Sequence, residues 1–238
     1  MSRSAGRLRV LVNRLIVVAL LLVAFAHVAL TERLREGSGP SVARRWVQLG
    51  ARLTGVSFER VGEVTARPAG LQVLVANHSS PLDIAAVLAT HPTARFVAGA
   101  DLFNIPLLAA AMRALGTVPV DRRSGSGRLI VDGESGGVLA VFAEGAIAAP
   151  GRRLPFHRGP FAMAIGAGAE VVPVAIHHSA QRLPPKSALG VRPGPVIVEY
   201  LSTIATESLD LADRYRLCDE VETAIHSALG PGDGGTGR

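Results

Sequence analysis

Apolar residues along this chain fall into two patterns: short unbroken runs, and stripes at helical spacing. The runs Val56–Val61, Leu71–Ala76, Ala94–Ala98, Thr117–Val120, Val138–Phe142, Val171–Ile176 and Val196–Tyr200 are bounded by turn formers or charge and read as strands. Between them Pro81–Thr90, Ile105–Leu115, Phe161–Ile165 and Glu207–Leu229 read as helices. Pro81 and Pro106 stand at helix starts, where a missing N–H costs nothing. Gly125–Gly137 is glycine-rich, with room for a short helix over Arg128–Gly133, and Gln181–Pro195 reads as a proline-rich loop. Gly230–Arg238 is low in complexity and is expected to be disordered. Strands alternating with helices predict an α/β sandwich around one sheet, without internal repeats.

The N-terminal pattern is different. Arg3, Arg7, Arg9 and Arg14 precede Leu15–Leu30, a run free of charge and polar only at His27. No convincing small-residue cleavage site precedes the charged flank at Arg33 and Arg35, which sets the run apart from a signal peptide. It is slightly short of the roughly 20 residues of a full span, so spanning, re-entrant and interfacial helices all fit. After the break at Glu36–Pro40, Val42, Trp46, Leu49 and Leu53 share one helical stripe with Arg44, Arg45 and Arg52 around it. That pattern predicts an amphipathic helix with Trp46 as its interfacial anchor. The expectation is a basic helical hairpin on the cytoplasmic face of the membrane; the competing reading is a pair of helices buried against a soluble core.

Composition narrows the picture. A chain of 238 residues carries one sizeable core. Hydrophobic content is 48% but aromatic content only 4%, so that core is built from Ala, Val, Leu and Ile. The net charge of +6, mostly arginine, suits an anionic membrane surface, a phosphorylated or CoA-type ligand, or nucleic acid. Scarce aromatics argue against single-strand stacking, and no nucleic-acid partner is expected. One cysteine, Cys218, rules out an intrachain disulfide and a Cys-based zinc site.

The most informative stretch is Val73–Asp83. An apolar strand stops at Asn77, His78, Ser79 and Ser80, and a helix opens at Pro81, with Ser80 placed as its N-cap. His78 and Asp83 are five apart, which does not suit a shared face of one helix. With Pro81 between them, His78 lies in the turn and Asp83 in the first helical turn. The turn can then fold the imidazole over the carboxylate. One ring nitrogen is held and the other is free to take a proton, as general-base catalysis requires. An ordinary loop histidine beside a dipole-stabilised aspartate fits the same residues.

Other motifs carry less. Gly133-Glu134-Ser135-Gly136-Gly137 matches G-x-S-x-G, but its strand comes after it instead of before, the wrong context for a nucleophile elbow. No Walker loop is present, and no G-x-G-x-x-G stands between a strand and a helix. His177-His178 comes after a strand, where neighbouring side chains point apart, so a loop role is expected and no metal. In Phe142-Ala143-Glu144-Gly145 a buried strand ends on Glu-Gly, and Gly145 permits a turn that brings amides near a ligand.

Together and in order, these pieces resemble the 1-acylglycerol-3-phosphate acyltransferases, the lysophospholipid acyltransferase family. Asn77-His78-Ser79-Ser80-Pro81-Leu82-Asp83 fits that family's N-H-x-x-x-x-D block. Phe96–Arg122, with Asp101-Leu102-Phe103, Ile105-Pro106, Gly116 and Val118-Pro119-Val120-Asp121-Arg122, looks like its second block. Phe142-Ala143-Glu144-Gly145 looks like a degraded F-P-E-G-T-R block. Leu154-Pro155-Phe156, Arg158-Gly159 and Val172–Ile176 match the family's later segments. The resemblance covers Leu53–Tyr200.

It implies a glycerol-3-phosphate acyltransferase-like fold, α/β with a mixed β-sheet flanked by helices, preceded by the membrane-associated hairpin. The implied organisation is membrane helices over 1–52, an acyltransferase domain over 53–229 and a tail over 230–238. The implied reaction moves an acyl group from acyl-CoA or acyl carrier protein to a lysolipid hydroxyl, lysophosphatidate first, without metal or resident cofactor. His78 would be the base and Asp83 its orienter, with Asn77, Arg122, Glu144 and Gly145 on the substrate side; membrane lipids would be the other partner. The chain departs from the family's pattern at Gly99, where many members have Lys, and at Ala143 for Pro, Ala146 for Thr and Ile147 for Arg. That arginine is linked to the acceptor's phosphate, so a different acceptor (a lyso-ornithine lipid or lysoglycolipid) or a non-catalytic lipid-binding module are the alternatives.

Overall fold

A computed structural model describes residues 21–64, 68–120, 137–149, 152–185 and 190–230. Several expectations lie outside the described residues. These are the ones on Arg3, Arg7, Arg9, Arg14, Arg122 and Arg123, on positions 15–20 of the apolar run, on Arg128–Gly133, on most of the G-x-S-x-G stretch, and on the tail after Gly230.

Seven strands form one sheet in the order β1-β7-β6-β2-β5-β3-β4. They are β1 (Val56–Val61), β2 (Leu71–Ala76), β3 (Ala94–Gly99), β4 (Val118–Val120), β5 (Gly137–Phe142), β6 (Glu170–His177) and β7 (Gly194–Tyr200). All neighbours are parallel except β6 and β7, so the sheet is mixed. β2 lies between β5 and β6, and all six of its residues are buried. A strand covered on both faces reads as a continuous apolar run, which is why Leu71–Ala76 shows no alternation beyond Gln72.

Helices cover both faces. On one, α5 (Gly159–Gly166) and α7 (Arg214–Leu229) bury Phe161, Leu217, Val221 and Ile225 against Val73, Val75, Leu139 and Val171. On the other, α3 (Leu82–Thr90) buries Ala86, Val87 and Leu88 against Leu74, Val172, Val174 and Val198. Alternate residues of the same strand feed the two cores, as the two-residue strand period requires.

The N-terminal segments form a hairpin of α1 (residues 21–34) and α2 (Gly39–Thr54). Glu32 closes it: its two oxygens accept from the Gly37 N–H (2.8 Å) and the Gly39 N–H (2.6 Å). Val28, Val42 and Ala43 pack against Ala111 and Ala114 of α4 (Pro106–Ala114). The stripe expected on α2 is therefore divided. Val42 is buried, and Trp46 is half-buried with its Nε1–H donating to His27 Nδ1 at 3.2 Å. Trp46 is thus an internal contact of the hairpin, while Leu49 and Leu53 stay exposed. Among the described residues no helix is long and apolar enough to cross a membrane.

Most boundaries shift by a residue or two from the sequence reading, and two regions change in kind. The last helix starts at Arg214, not Glu207, because Asp210 and Asp213 form a reciprocal capping box around a short 3-10 turn at Leu211–Asp213. Within the expected loop Gln181–Pro195, residues 181 and 182 belong to a short helix, α6 (Ser179–Arg182), and β7 begins at Gly194.

Candidate active site

The parallel strands end at one edge of the sheet, and the site is built there, where ligands of open α/β sheets bind. β2 runs into the turn Asn77–Pro81 and then α3. The regular helix starts at Leu82 with Pro81, not Ser80, at the N-cap position; the Ser80 hydroxyl nonetheless accepts from the Leu82 N–H at 3.1 Å.

His78 Nδ1 lies 2.9 Å from Asp83 Oδ2. The same oxygen accepts from the Ser79 N–H (2.8 Å) and the Ser80 N–H (2.9 Å). Asp83 is fully buried, while the His78 side chain keeps 12% of its surface open. A carboxylate only accepts, so Nδ1 carries the proton of that bond and Nε2 keeps its lone pair. The helix start and two amides compensate the buried charge, as a fixed orienter requires.

The segment after β5 frames the histidine from the other side. The Phe142 ring stacks on the imidazole with centroids 4.1 Å apart and planes 14° from parallel. Phe96 stacks behind Phe142 at 6.1 Å. Gly145 has φ +69°, and its N–H donates to Phe142 O at 3.0 Å, closing the turn. The Ala148 N–H donates to His78 O at 2.8 Å. Sequence reasoning misses both the ring stack and the Ala148 contact. The one signal for the stack is an aromatic residue two positions before Glu144.

Asn77 and Glu144, expected on the substrate side, turn their side chains to the protein's own main chain. Asn77 is buried and pairs with Ile176 both ways: Nδ2–H donates to Ile176 O (3.1 Å) and Oδ1 accepts from the Ile176 N–H (2.8 Å). Glu144 is also buried, accepting from the His78 N–H (3.0 Å) and the Leu154 N–H (3.1 Å). Burial pushes the Glu144 carboxyl above the ordinary glutamate value; the two amides and the nearby His78 pull the other way, and Asp83 adds to the push. Gly145 lies beside them in the turn, and Arg122 is outside the described residues.

A second set of contacts ties the turn to α6. Ser79 Oγ lies 3.0 Å from the buried Ser179 Oγ, and the Ser80 hydroxyl donates to Leu183 O at 2.7 Å. His177 ends β6 with Nε2 2.9 Å from Glu199 Oε2, and His178 stands at the start of α6 with φ +65°. Among the described residues no group of three or more His, Cys, Asp or Glu side chains is arranged to hold a metal ion.

The model of the acyltransferase family matches residues 58–177, half of the chain, including the whole turn and both sides of the site. The chain belongs to the acyltransferase family. Among curated proteins it is 29% identical over 163 residues to a chloroplastic 1-acyl-sn-glycerol-3-phosphate acyltransferase of Brassica napus, covering 66% of this chain and 46% of that protein. It is 28% identical over 185 residues to 1-acyl-sn-glycerol-3-phosphate acyltransferase alpha of Mus musculus, covering 74% of this chain and 64% of that one. The chain spans about half the length of the plant and algal relatives it matches. The crystal structure of the 1-acyl-sn-glycerophosphate acyltransferase PlsC of Thermotoga maritima superposes with a TM-score of 0.69 at 20% identity, covering 95% of each chain. That likeness extends the acyltransferase fold beyond the matched segment, to the hairpin before it and the last strand and helix after it.

Proposed function

We propose that this acyltransferase-family chain moves a fatty acyl group from a thioester of CoA or acyl carrier protein to the free hydroxyl of lysophosphatidate, giving phosphatidate. The observation that carries this reading is the His78–Asp83 pair, with Nδ1 held at 2.9 Å by a buried carboxylate and the imidazole still partly open. The curated relatives named as 1-acyl-sn-glycerol-3-phosphate acyltransferases support the acceptor.

The chemistry derives from the pair. His78 Nε2 takes the proton of the acceptor hydroxyl as its oxygen attacks the thioester carbonyl. Asp83 stabilises the imidazolium that forms. When the tetrahedral species collapses, the C–S bond breaks and the imidazolium returns its proton to the leaving thiolate. Atoms and charge balance without a covalent enzyme intermediate. Gly145 and Arg122 are assigned to the acceptor side, Arg122 for the phosphate.

Ile147, 37% exposed, lies just past that turn and cannot donate to an anion. This residue motivates a second reading, an acceptor without a phosphomonoester, such as a lyso-ornithine lipid or lysoglycolipid.

The test is an acceptor panel on wild type, Arg122→Ala and Ile147→Arg with acyl-CoA and acyl carrier protein donors. The lysophosphatidate reading requires turnover of that acceptor by wild type. It also requires a raised KM in Arg122→Ala, and a neutral or lowered KM in Ile147→Arg, because a bidentate Arg–phosphate contact is strong. Turnover of only amino- or sugar-headgroup lysolipids would replace it with the second reading. No thioester release with any acceptor would leave the chain a lipid-binding module.

A further inference from the structure

We propose that Glu144 is a positioning residue: its buried carboxylate holds the His78 main chain in the place from which the imidazole serves the substrate. The inference rests on the reading of His78 as the base, and it assigns Glu144 to the enzyme's own frame, away from the acceptor.

His78 is held at four points. Asp83 holds Nδ1, and Phe142 covers one face of the ring. Ala148 donates to the carbonyl, and Glu144 accepts from the N–H. Three of these four holders come from residues 142–148, the end of β5 and the turn after it. Within that segment the left-handed Gly145 reverses the chain, so that Glu144 and Ala148 reach the amide and the carbonyl of one residue, His78.

The placement of the carboxylate favours positioning over substrate contact. A group that binds an incoming hydroxyl or headgroup needs an oxygen turned to the open cleft. Glu144 is 5% exposed and directs one oxygen at the His78 N–H and the other at the Leu154 N–H. One donor belongs to the catalytic turn, and the other lies ten residues beyond Glu144. The side chain therefore ties Leu154 to the turn.

The residue type matters as well. A carboxylate offers two acceptor oxygens, whereas a carboxamide offers one and would point its NH2 at an N–H. One buried amide would then lose its partner, and the turn would shift to recover it. Displacement of a catalytic group by about 1 Å is enough to cost about 100-fold in rate. The charge adds a second effect, since His78 and Asp83 both act on the Glu144 ionisation and are therefore within electrostatic reach.

The experiment uses the full chain, wild type and Glu144→Gln, with two readouts. In steady-state transfer, kcat falls about 10- to 100-fold while KM for donor and acceptor stays at the wild-type value. In nitrogen-15 spectra of histidine-labelled protein, the His78 Nδ1–H signal, assigned by its loss in His78→Ala, moves or broadens in Glu144→Gln. If Glu144→Gln does not fold, Glu144→Asp, which keeps both acceptor oxygens on a shorter stem, is measured for the same two changes. A raised acceptor KM at unchanged kcat would make Glu144 a substrate ligand and overturn the proposal, as would unchanged kcat and an unmoved signal. The spectra need no turnover, so they test the hold on His78 even if the transfer reaction itself fails.

Discussion

His78 Nδ1 and Asp83 Oδ2 are 2.9 Å apart, and that oxygen also takes the Ser79 and Ser80 amides, so one buried atom fixes both the imidazole and the turn that carries it. Asp83→Asn keeps the shape and an acceptor oxygen but removes the charge that stabilises an imidazolium. Acyl transfer by the folded Asp83→Asn protein is expected to fall by about 100-fold or more in kcat, the scale of assisted proton transfer. Wild-type kcat in that variant would show that Asp83 only supports the turn.

The hairpin is seated on the catalytic domain at a glycine. A Cβ built on Gly39 would lie 2.6 Å from the Ala114 carbonyl oxygen, a backbone atom with no freedom to yield. Gly39→Ala is therefore expected to destabilise the protein by about 1–3 kcal/mol, the range for overpacking a fitted contact. Urea denaturation gives the value, and an unchanged midpoint would mean that α2 is free to lift from α4.

The exposed end of α2 is where a membrane contact is expected. Leu49 and Leu53 are 44% and 72% exposed, near Arg52 and one turn or more beyond the packed Val42. Leu49→Asp combined with Leu53→Asp is expected to reduce co-sedimentation with anionic vesicles while leaving the fold intact. Each basic side chain near such a surface contributes roughly 1 kcal/mol, so adding salt should weaken the wild-type binding further. Undiminished vesicle binding by the double variant would place the contact elsewhere.

Much of this is legible in the sequence, for identifiable reasons. Central strands such as β2 are apolar on both faces, so their bounds can be read from composition alone. His78 and Asp83 are legible because Pro81 separates turn from helix between them. The packing of Trp46 inside the hairpin is not legible, because a helical stripe looks the same whether it faces lipid or another helix. The residues that decide the matter, His27 and those of α4, are distant from it in sequence. Glu144 falls near the site on either reading, but the partners of its carboxylate are not legible. They are main-chain amides, and any residue type can supply those.

Cys218 supplies a prediction about pH. Burial pushes its thiol up from 9.0 to about 11, and Sγ contacts Phe156 O at 3.7 Å. Since the native state holds this proton more tightly than the unfolded chain, stability is retained below the ordinary thiol value. It is lost as pH rises through the interval from 9.0 to about 11. Near pH 8 the native thiol should resist iodoacetamide and react only as fast as the chain unfolds, because the thiolate is the nucleophile. Native labelling at the rate of a free thiol would contradict the burial of α7 against α5.

The central claim is that His78 is the base of an acyl transfer. The most direct measurement is single-turnover thioester consumption by purified wild type and His78→Ala with acyl-CoA and lysophosphatidate in mixed micelles, with circular dichroism confirming that both are folded. The account predicts rapid phosphatidate formation by wild type and a loss of about 10²–10⁴-fold in His78→Ala, the contribution of a positioned general base. Near-normal transfer by the folded His78→Ala protein would contradict it.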